Sequence, residues 1–239
     1  EKVLESKVVP MEWWDDTTKY KANFQNGVLD LKTMEFSPSN PKLGFRYVLD
    51  YDYDPEAQCP VFDKFLNDCL QNDPELVTLV CEFIGYAMSN DKYWLHKALI
   101  LEGEGSNGKS TLMNVIKALA GKDSYSVASL AGIKKENTLQ TLDGKLFNIS
   151  SETPSKALFE SSLFKALSSG DEVNVRKLYS NTYTMKNRAK LILACNEMPE
   201  TTDYSHGLVR RLLIIPFRQV FSDTNKNKDP FIEDKIMLE

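Results

Sequence analysis

The sequence predicts an α/β fold: a central, mainly parallel sheet flanked by helices and preceded by a smaller mixed and helical module. Three observations point there. From Lys97 onward, short apolar runs rich in branched residues alternate with helix-length stretches, the pattern of strands joined by helical crossovers. The first run, ALIL (98–101), ends on a glycine-rich loop, and a helix follows at about 109–120. Before Lys97 the pattern differs, with short β-like pieces, turn signals and then two helical stretches.

In chain order, GVLDL (27–31) and YVLDYDY (47–53) read as β-like pieces, punctuated by Asn26-Gly27 and by SPSNPK (37–42). Residues 60–72 read as a helix with Phe62, Phe65, Leu66, Cys69 and Leu70 on one face. A second helix starts at Asp73, whose carboxylate caps free amides, with Pro74 in the first turn where its missing N–H costs nothing. The two helices read as packing elements, with an oligomerisation collar as the alternative. YSVAS (125–129) and KLFNIS (145–150) read as strands, followed by a helix at about 159–168 and an alternating region at 173–190. AKLILAC (189–195) and LLIIPF (212–217) complete the strands. The boundary is expected near 92–96, dividing an accessory module (1–95, helical and collar-like from about 60) from a nucleotide-binding core (96–239).

Composition narrows the function classes. The 239 residues are 42% hydrophobic and 26% charged with a net charge of −5, so contact with nucleic acid needs a local basic patch. The four cysteines (Cys59, Cys69, Cys81, Cys195) form no CxxC pair and the only histidines are His96 and His206, which argues against zinc. Four reduced thiols fit a cytoplasmic protein. No stretch approaches the roughly 20 apolar residues of a membrane span. EKVLESKVVP (1–10) has no apolar signal core and no initiator Met, and reads as a cut from a longer chain.

The chemistry centres on GEGSNGKST (103–111). Gly103, Gly108, Lys109 and Ser110 fit G-x-x-x-x-G-K-[ST], a phosphate-binding loop. The backbone amides of Gly103, Glu104, Gly105, Ser106, Asn107 and Gly108 are expected to surround a β-phosphate, with Lys109 reaching the β- and γ-phosphates, Ser110 on Mg²⁺ and Thr111 beside it. ATP and Mg²⁺ are thus the expected cofactors. KLFNISSE (145–152) offers Glu152 at a strand end, read as beside the loop, to polarise water or hold the magnesium shell; the plain alternative is a surface acid. LILACNEMP (191–199) ends in Asn196, which can bond both a γ-phosphate and the water, or simply form a turn before Pro199. In GLVRRLLIIPF (207–217) one of Arg210 and Arg211 can act as an arginine finger toward a neighbouring subunit's γ-phosphate. Read as strand residues, the two point to opposite faces, and spacing does not separate them.

Residues 173–190 carry Arg176, Lys177, Lys186, Arg188 and Lys190 with no acid, and Tyr179 and Tyr183 lie among them. Basic side chains neutralise phosphates and tyrosine faces stack on bases, so this stretch reads as a β-hairpin centred on Ser180-Asn181 that contacts single-stranded nucleic acid. The alternative is a solvated basic surface.

With these motifs in view, the chain resembles superfamily 3 helicases, specifically the phage and plasmid primase–helicases related to the poxvirus primase–helicase. The residues that carry the resemblance are GEGSNGKST (103–111), LDGKLFNISSE (142–152), FKALSSGDEVNVRKLY (164–179), LACNEMP (193–199) and GLVRRLLIIPF (207–217), in that order, with NGVLDLKT (26–33) and YDYDPEAQCPVFDKFL (51–66) upstream. The resemblance implies an AAA+-like core and a homo-hexameric ring around single-stranded DNA. It implies ATP bound between subunits, 3′→5′ translocation and a primase domain elsewhere in the full-length protein. It gives Lys109 and Ser110 the Walker A roles, Glu152 the Walker B role, Asn196 the sensor role and Arg210 or Arg211 the finger. It assigns Lys165, Gly170, Asp171, Arg176 and Lys177 to the DNA-facing hairpin and its base. Ser151 stands where many relatives outside this branch have a second acid, which implies that Mg²⁺ is held mainly by Ser110, phosphates and water, with Glu152 reaching it through water. The chain stops at IMLE (236–239), where relatives continue, and so reads as a fragment of a mobile-element replication helicase, in the host-cell cytoplasm if phage-encoded. The rival readings are a P-loop ATPase that remodels protein, and a non-catalytic ring-assembly fragment.

Overall fold

The computed structural model describes residues 18–45, 47–89, 95–153, 161–176, 181–224 and 227–239. A small antiparallel sheet opens it, formed by β1 (Lys21–Phe24), β2 (Gly27–Asp30) and β3 (Phe36–Ser37). Two helices follow, α1 (Pro60–Cys69) and α2 (Pro74–Met88). The Asp73 carboxylate accepts from the amides of Glu75 (3.0 Å) and Leu76 (3.2 Å), as its position before Pro74 predicts. α1 is shorter than the sequence implies because Gln71 and Asn72 take left-handed backbone conformations, φ 56° and 58°, which end the helix.

The stretch 47–53 does not form the expected strand. Only Leu49 bridges to Phe24, and the tyrosines pack instead: Tyr51 and Tyr53 lie 5.6 and 5.3 Å from the Phe24 ring. Aromatic packing, not a ladder, uses the alternation there.

The main sheet has five parallel strands in the order β10-β4-β9-β6-β5. These are β4 (Ala98–Glu102), β5 (Tyr125–Ser126), β6 (Phe147–Thr153), β9 (Lys190–Cys195) and β10 (Leu212–Pro216). Helices α3 (Lys109–Ala120), α4 (Glu136–Leu139), α5 (Ser161–Ser169), α6 (His206–Val209) and α7 (Ile232–Ile236) surround it, and β7 (Glu172–Arg176) pairs with β8 (Thr182–Lys186) as a separate antiparallel hairpin. β5 is only two residues long, short of the expected 125–129. Beyond it the Asn148 side chain stands in for the ladder: its Oδ1 accepts from Ser126 Oγ and Ala128 N, and its Nδ2 donates to Ala128 O.

Alternation along the strands divides the core into two layers. Leu99 and Leu101 of β4 join a cluster with Leu112 and Ile116 of α3, Phe65 and Leu66 of α1, and Val80 and Phe83 of α2. Ala98 and Ile100 join the other cluster, with Phe164 and Leu167 of α5 and Val175 and Met185 of the hairpin. The first layer is continuous from β1 through α1 and α2 to the main sheet, so the N-terminal helices share the core that positions the glycine loop. Among the described residues no helix is long and apolar enough to cross a membrane.

Candidate nucleotide site

Because all five strands are parallel, every β-to-α connection at their C-terminal ends opens on one edge of the sheet. Glu102, the last residue of β4, pairs in register with Cys195, the last of β9, and Cys195 pairs on its other side with Thr153 of β6. The Gly103 amide donates to Cys195 O at 3.1 Å, which ties the loop to the end of β9. Gly103, Asn196 and Glu152 therefore emerge side by side on three successive strand ends. The order differs in one respect from the sequence reading: β6 is not beside β4, because β9 lies between them and brings Asn196 between the loop and Glu152.

Glu152 is exposed because of a bulge. From Ser150↔Leu193 to Thr153↔Cys195 the register advances three residues on β6 against two on β9, and Ser151 and Glu152 fill the irregularity while Thr153 is buried. Ser110 is exposed in the first turn of α3, and Thr111 behind it is half-buried.

The loop packs tightly. Gly108, φ 91°, precedes α3 and offers no side chain to its first-turn amides, which leaves them facing an anion site. A side chain at Gly108 would overlap Cys69 Sγ and come within 3.1 Å of the Phe65 ring, so α1 presses directly on the loop. The spacing explains Gly108 by phosphate approach alone; its contact with α1 is not visible in sequence. Ser106 also has a left-handed backbone (φ 58°), and its carbonyl accepts from Phe221 N at 2.7 Å.

Lys109 is 8% exposed. Its ammonium donates to Asn107 Oδ1 and Glu104 O, each at 3.1 Å, and to Gly103 O. Burial holds its pKa below the ordinary lysine value, a penalty that an anion in the loop would relieve. The Cys195 thiol nearby is pushed up to about 11, by burial first and then by Glu102, so it stays protonated and no thiolate nucleophile stands at the site. Next to Ser106, Gly108 and Thr111 a cavity of about 630 Å³ opens, walled by Val61 and Phe65 of α1 and by Phe221 and Ile232 from the C-terminal segment. Its size suits a small-molecule ligand, for which clefts run about 300–1,000 Å³.

The two arginines lie elsewhere. They are not strand residues but form the turn between α6 and β10, so strand alternation does not govern their directions. Arg211 is 9% exposed and turned inward: its Nε donates to Ser169 Oγ at 3.3 Å, one terminal nitrogen donates to the same oxygen at 2.6 Å, and the other donates to Gly207 O. Arg210 is exposed, and among the described residues its guanidinium has no hydrogen bond or ion pair. Burial and then these two arginines lower the pKa of His96, which marks an electropositive corner. Leu212 pairs with Ala98, so this corner sits at the start of β4, roughly 13 Å or more along the strand from Gly103.

The basic stretch is divided by the fold. Lys190 is 1% exposed and donates to Ser89 O beneath the Tyr86 ring, 5.2 Å away, so it faces the core instead of a nucleic acid. Arg188 is half-buried. Lys177 and Tyr179, with the turn at Ser180, lie outside the described residues. Tyr183 points to the protein and donates to Asp143 at 3.3 Å. Arg176 and Lys186 are exposed on the outward face of the hairpin, where the registers Glu172↔Lys186 and Arg176↔Thr182 place them with Glu172, Asn174, Thr182 and Thr184. That face carries two positive charges and one negative. Lys165, expected near DNA, pairs with Asp203 and donates to Ser205 Oγ at 3.2 Å. Gly170 (φ 70°) terminates α5, and the Asp171 amide returns to Ala166 O at 2.9 Å, a helix-end motif that sets the hairpin's departure.

A glycine loop at the end of a central parallel strand, with polar groups on the next two strand ends to one side, defines an α/β P-loop fold. Comparisons with known proteins then narrow the class. Residues 6–71 match the family described as D5 N terminal like, and residues 101–211 match a family of unknown function, DUF5906. A putative helicase, L207/L206, of Acanthamoeba polyphaga mimivirus is 26% identical over 230 residues, covering 86% of this chain and 22% of that protein. Among solved structures, the A form apo structure of the NrS-1 C-terminal region has a TM-score of 0.62 and 16% identity, covering 92% of this chain and 50% of that one. A second apo structure of that region gives a TM-score of 0.62 at 15% identity, over 79% and 47% of the two chains. The chain thus spans half or less of the length of these relatives. The match to the D5 N terminal like family and the likeness to a putative helicase fit the resemblance carried by the ordered motifs, and the solved structures share the fold.

Proposed function

We propose that the chain is the ATPase core of a DNA helicase of a mobile genetic element, hydrolysing ATP between subunits of a hexameric ring to move single-stranded DNA. One observation carries the reading: Gly103, Asn196 and Glu152 leave neighbouring parallel strands on one edge. The triphosphate would lie over the α3 N-terminus with Lys109 on its β- and γ-oxygens, and the nucleoside would enter the adjoining 630 Å³ cavity. Mg²⁺ fits the donor set, being a hard cation that takes oxygen ligands and keeps several waters: Ser110 and the phosphates would hold it, with Glu152 acting directly or through water. Bound Mg²⁺ neutralises charge developing on the phosphoryl oxygens. Glu152 would orient and deprotonate the attacking water, and Asn196 would bridge that water and the γ-phosphate.

Arg210 is the better finger of the pair, because Arg211 already spends its donors on Ser169 and Gly207. Its position at the opposite sheet edge from Gly103 supports service to a neighbour's nucleotide rather than its own. The hairpin's outward face is the proposed DNA contact, through Arg176 and Lys186. Replacing both with alanine should reduce the slope of log affinity against log salt by roughly 0.7 per lost phosphate contact on single strands. Fluorescence anisotropy with an oligodeoxynucleotide checks this, and an unchanged slope moves the DNA site off the hairpin.

A further inference from the structure

The segment after β10 makes more contacts with the glycine loop than a simple exit would need. It leaves the sheet at Phe217, crosses the loop where Phe221 N meets Ser106 O at 2.7 Å, and reaches α3, where Asn114 Nδ2 donates to both Glu233 carboxylate oxygens at 3.1 Å. It ends on α1: the Glu239 side-chain carboxylate accepts from the first-turn amides of Val61 (2.8 Å) and Phe62 (3.1 Å). The described parts of this segment, 217–224 and 227–239, therefore strap the loop between α3 and α1.

Asn107 joins this strap to the chemistry. It is 3% exposed. Its Nδ2 donates to Phe217 O at 3.2 Å and to Glu104 O, while its Oδ1 accepts from the Lys109 ammonium at 3.1 Å. The carboxamide has only one workable orientation, since a flip would set its NH₂ against the ammonium and its oxygen against two carbonyls. A side chain fixed at both ends holds Lys109 within the loop. A triphosphate needs that same ammonium for its own β- and γ-oxygens.

We propose that Asn107 is a positioning residue through which the strap, held at Phe217, Phe221, Glu233 and Glu239, opposes phosphate binding, so that triphosphate occupancy and strap attachment are antagonistic states of one network. The inference rests on the loop being the nucleotide site. Phosphate draws Lys109 off Asn107 Oδ1, which loosens the carboxamide and its bond to Phe217. In return, a strap held firmly at Glu239 keeps Asn107 on Lys109. Linkage makes the effect reciprocal: the factor by which bound phosphate weakens strap attachment is the factor by which an attached strap weakens phosphate binding.

The test measures inorganic tripolyphosphate and ATP binding to the full chain by calorimetry, in the unaltered protein, Glu239→Ala, Asn107→Asp and the double variant. Tripolyphosphate has no nucleoside to enter the cavity that the strap lines, so it reports on the loop alone. Glu239→Ala should tighten tripolyphosphate by about threefold to tenfold, the size of coupling between residues of one network. Asn107→Asp keeps the acceptor for Lys109 and removes the donor to Phe217, so adding Glu239→Ala to it should change nothing. Hydrogen exchange at Val61, Phe62 and Phe221 in the unaltered chain should speed up when tripolyphosphate is added. Unchanged or weaker binding in Glu239→Ala, or the same tightening in the Asn107→Asp background, overturns the coupling while leaving the nucleotide site intact. Failure of the unaltered chain to bind either ligand overturns the site and the coupling together. Glu239 is exposed at the end of the strap, so its variant keeps the test open should Asn107→Asp not fold.

Discussion

Replacing Lys109 with methionine should lower ATP turnover by roughly 10²–10³-fold, the usual loss when one donor to a developing phosphoryl charge is removed. The side chain sits at the mouth of α3 with a buried ammonium and three oxygen partners from its own loop. Methionine keeps the apolar stem and much of the volume, so the fold should survive: the unfolding midpoint should move little while phosphate release falls to background. Normal turnover in this variant would mean that the loop does not hold the reacting phosphates.

The second large effect separates the arginines. Arg210→Ala should cost about 10³–10⁵-fold in turnover, the range for an arginine finger, with nucleotide affinity and thermal stability nearly unchanged. Arg211→Ala should instead destabilise the fold, because it strips the donors from Ser169 and Gly207 at a nearly buried position. If Arg210 serves a neighbour as proposed, mixing Arg210→Ala with Lys109→Met should restore part of the activity: some interfaces then combine an intact loop from one subunit with an intact arginine from the next. Phosphate release from the two variants, separately and mixed, checks this. No recovery on mixing would place the finger within one chain or remove it.

How much of this was legible in sequence follows from how local each signal is. The glycine loop is read from eight consecutive residues, and its neighbours ALIL and the helix from Lys109 fall where the pattern puts them. Asn196 and Glu152 are readable as strand-end residues, since apolar runs stop just before them. Their gathering needs strand order and the bulge at Ser151 and Glu152, which depend on pairing between segments more than 40 residues apart. The basic stretch misleads for a related reason. Charge counting cannot show that Lys190 turns inward to Ser89 O, or that Lys165 is taken by Asp203. Nor does spacing reveal that Phe65 and Cys69 press on Gly108, or that a carboxylate at position 239 caps a helix that begins at position 60. Those contacts join segments far apart in sequence, and they set α1 and the segment after β10 against the glycine loop.

The most direct measurement is phosphate release by the unaltered chain over a range of protein concentrations, with and without single-stranded DNA. An ATPase whose arginine acts on a neighbour's nucleotide and whose hairpin grips DNA should show specific activity that rises with protein concentration and rises again when DNA is added. ATP bound and hydrolysed at a rate indifferent to both, or bound without hydrolysis under every condition, would contradict a DNA-moving ring and leave only the P-loop itself.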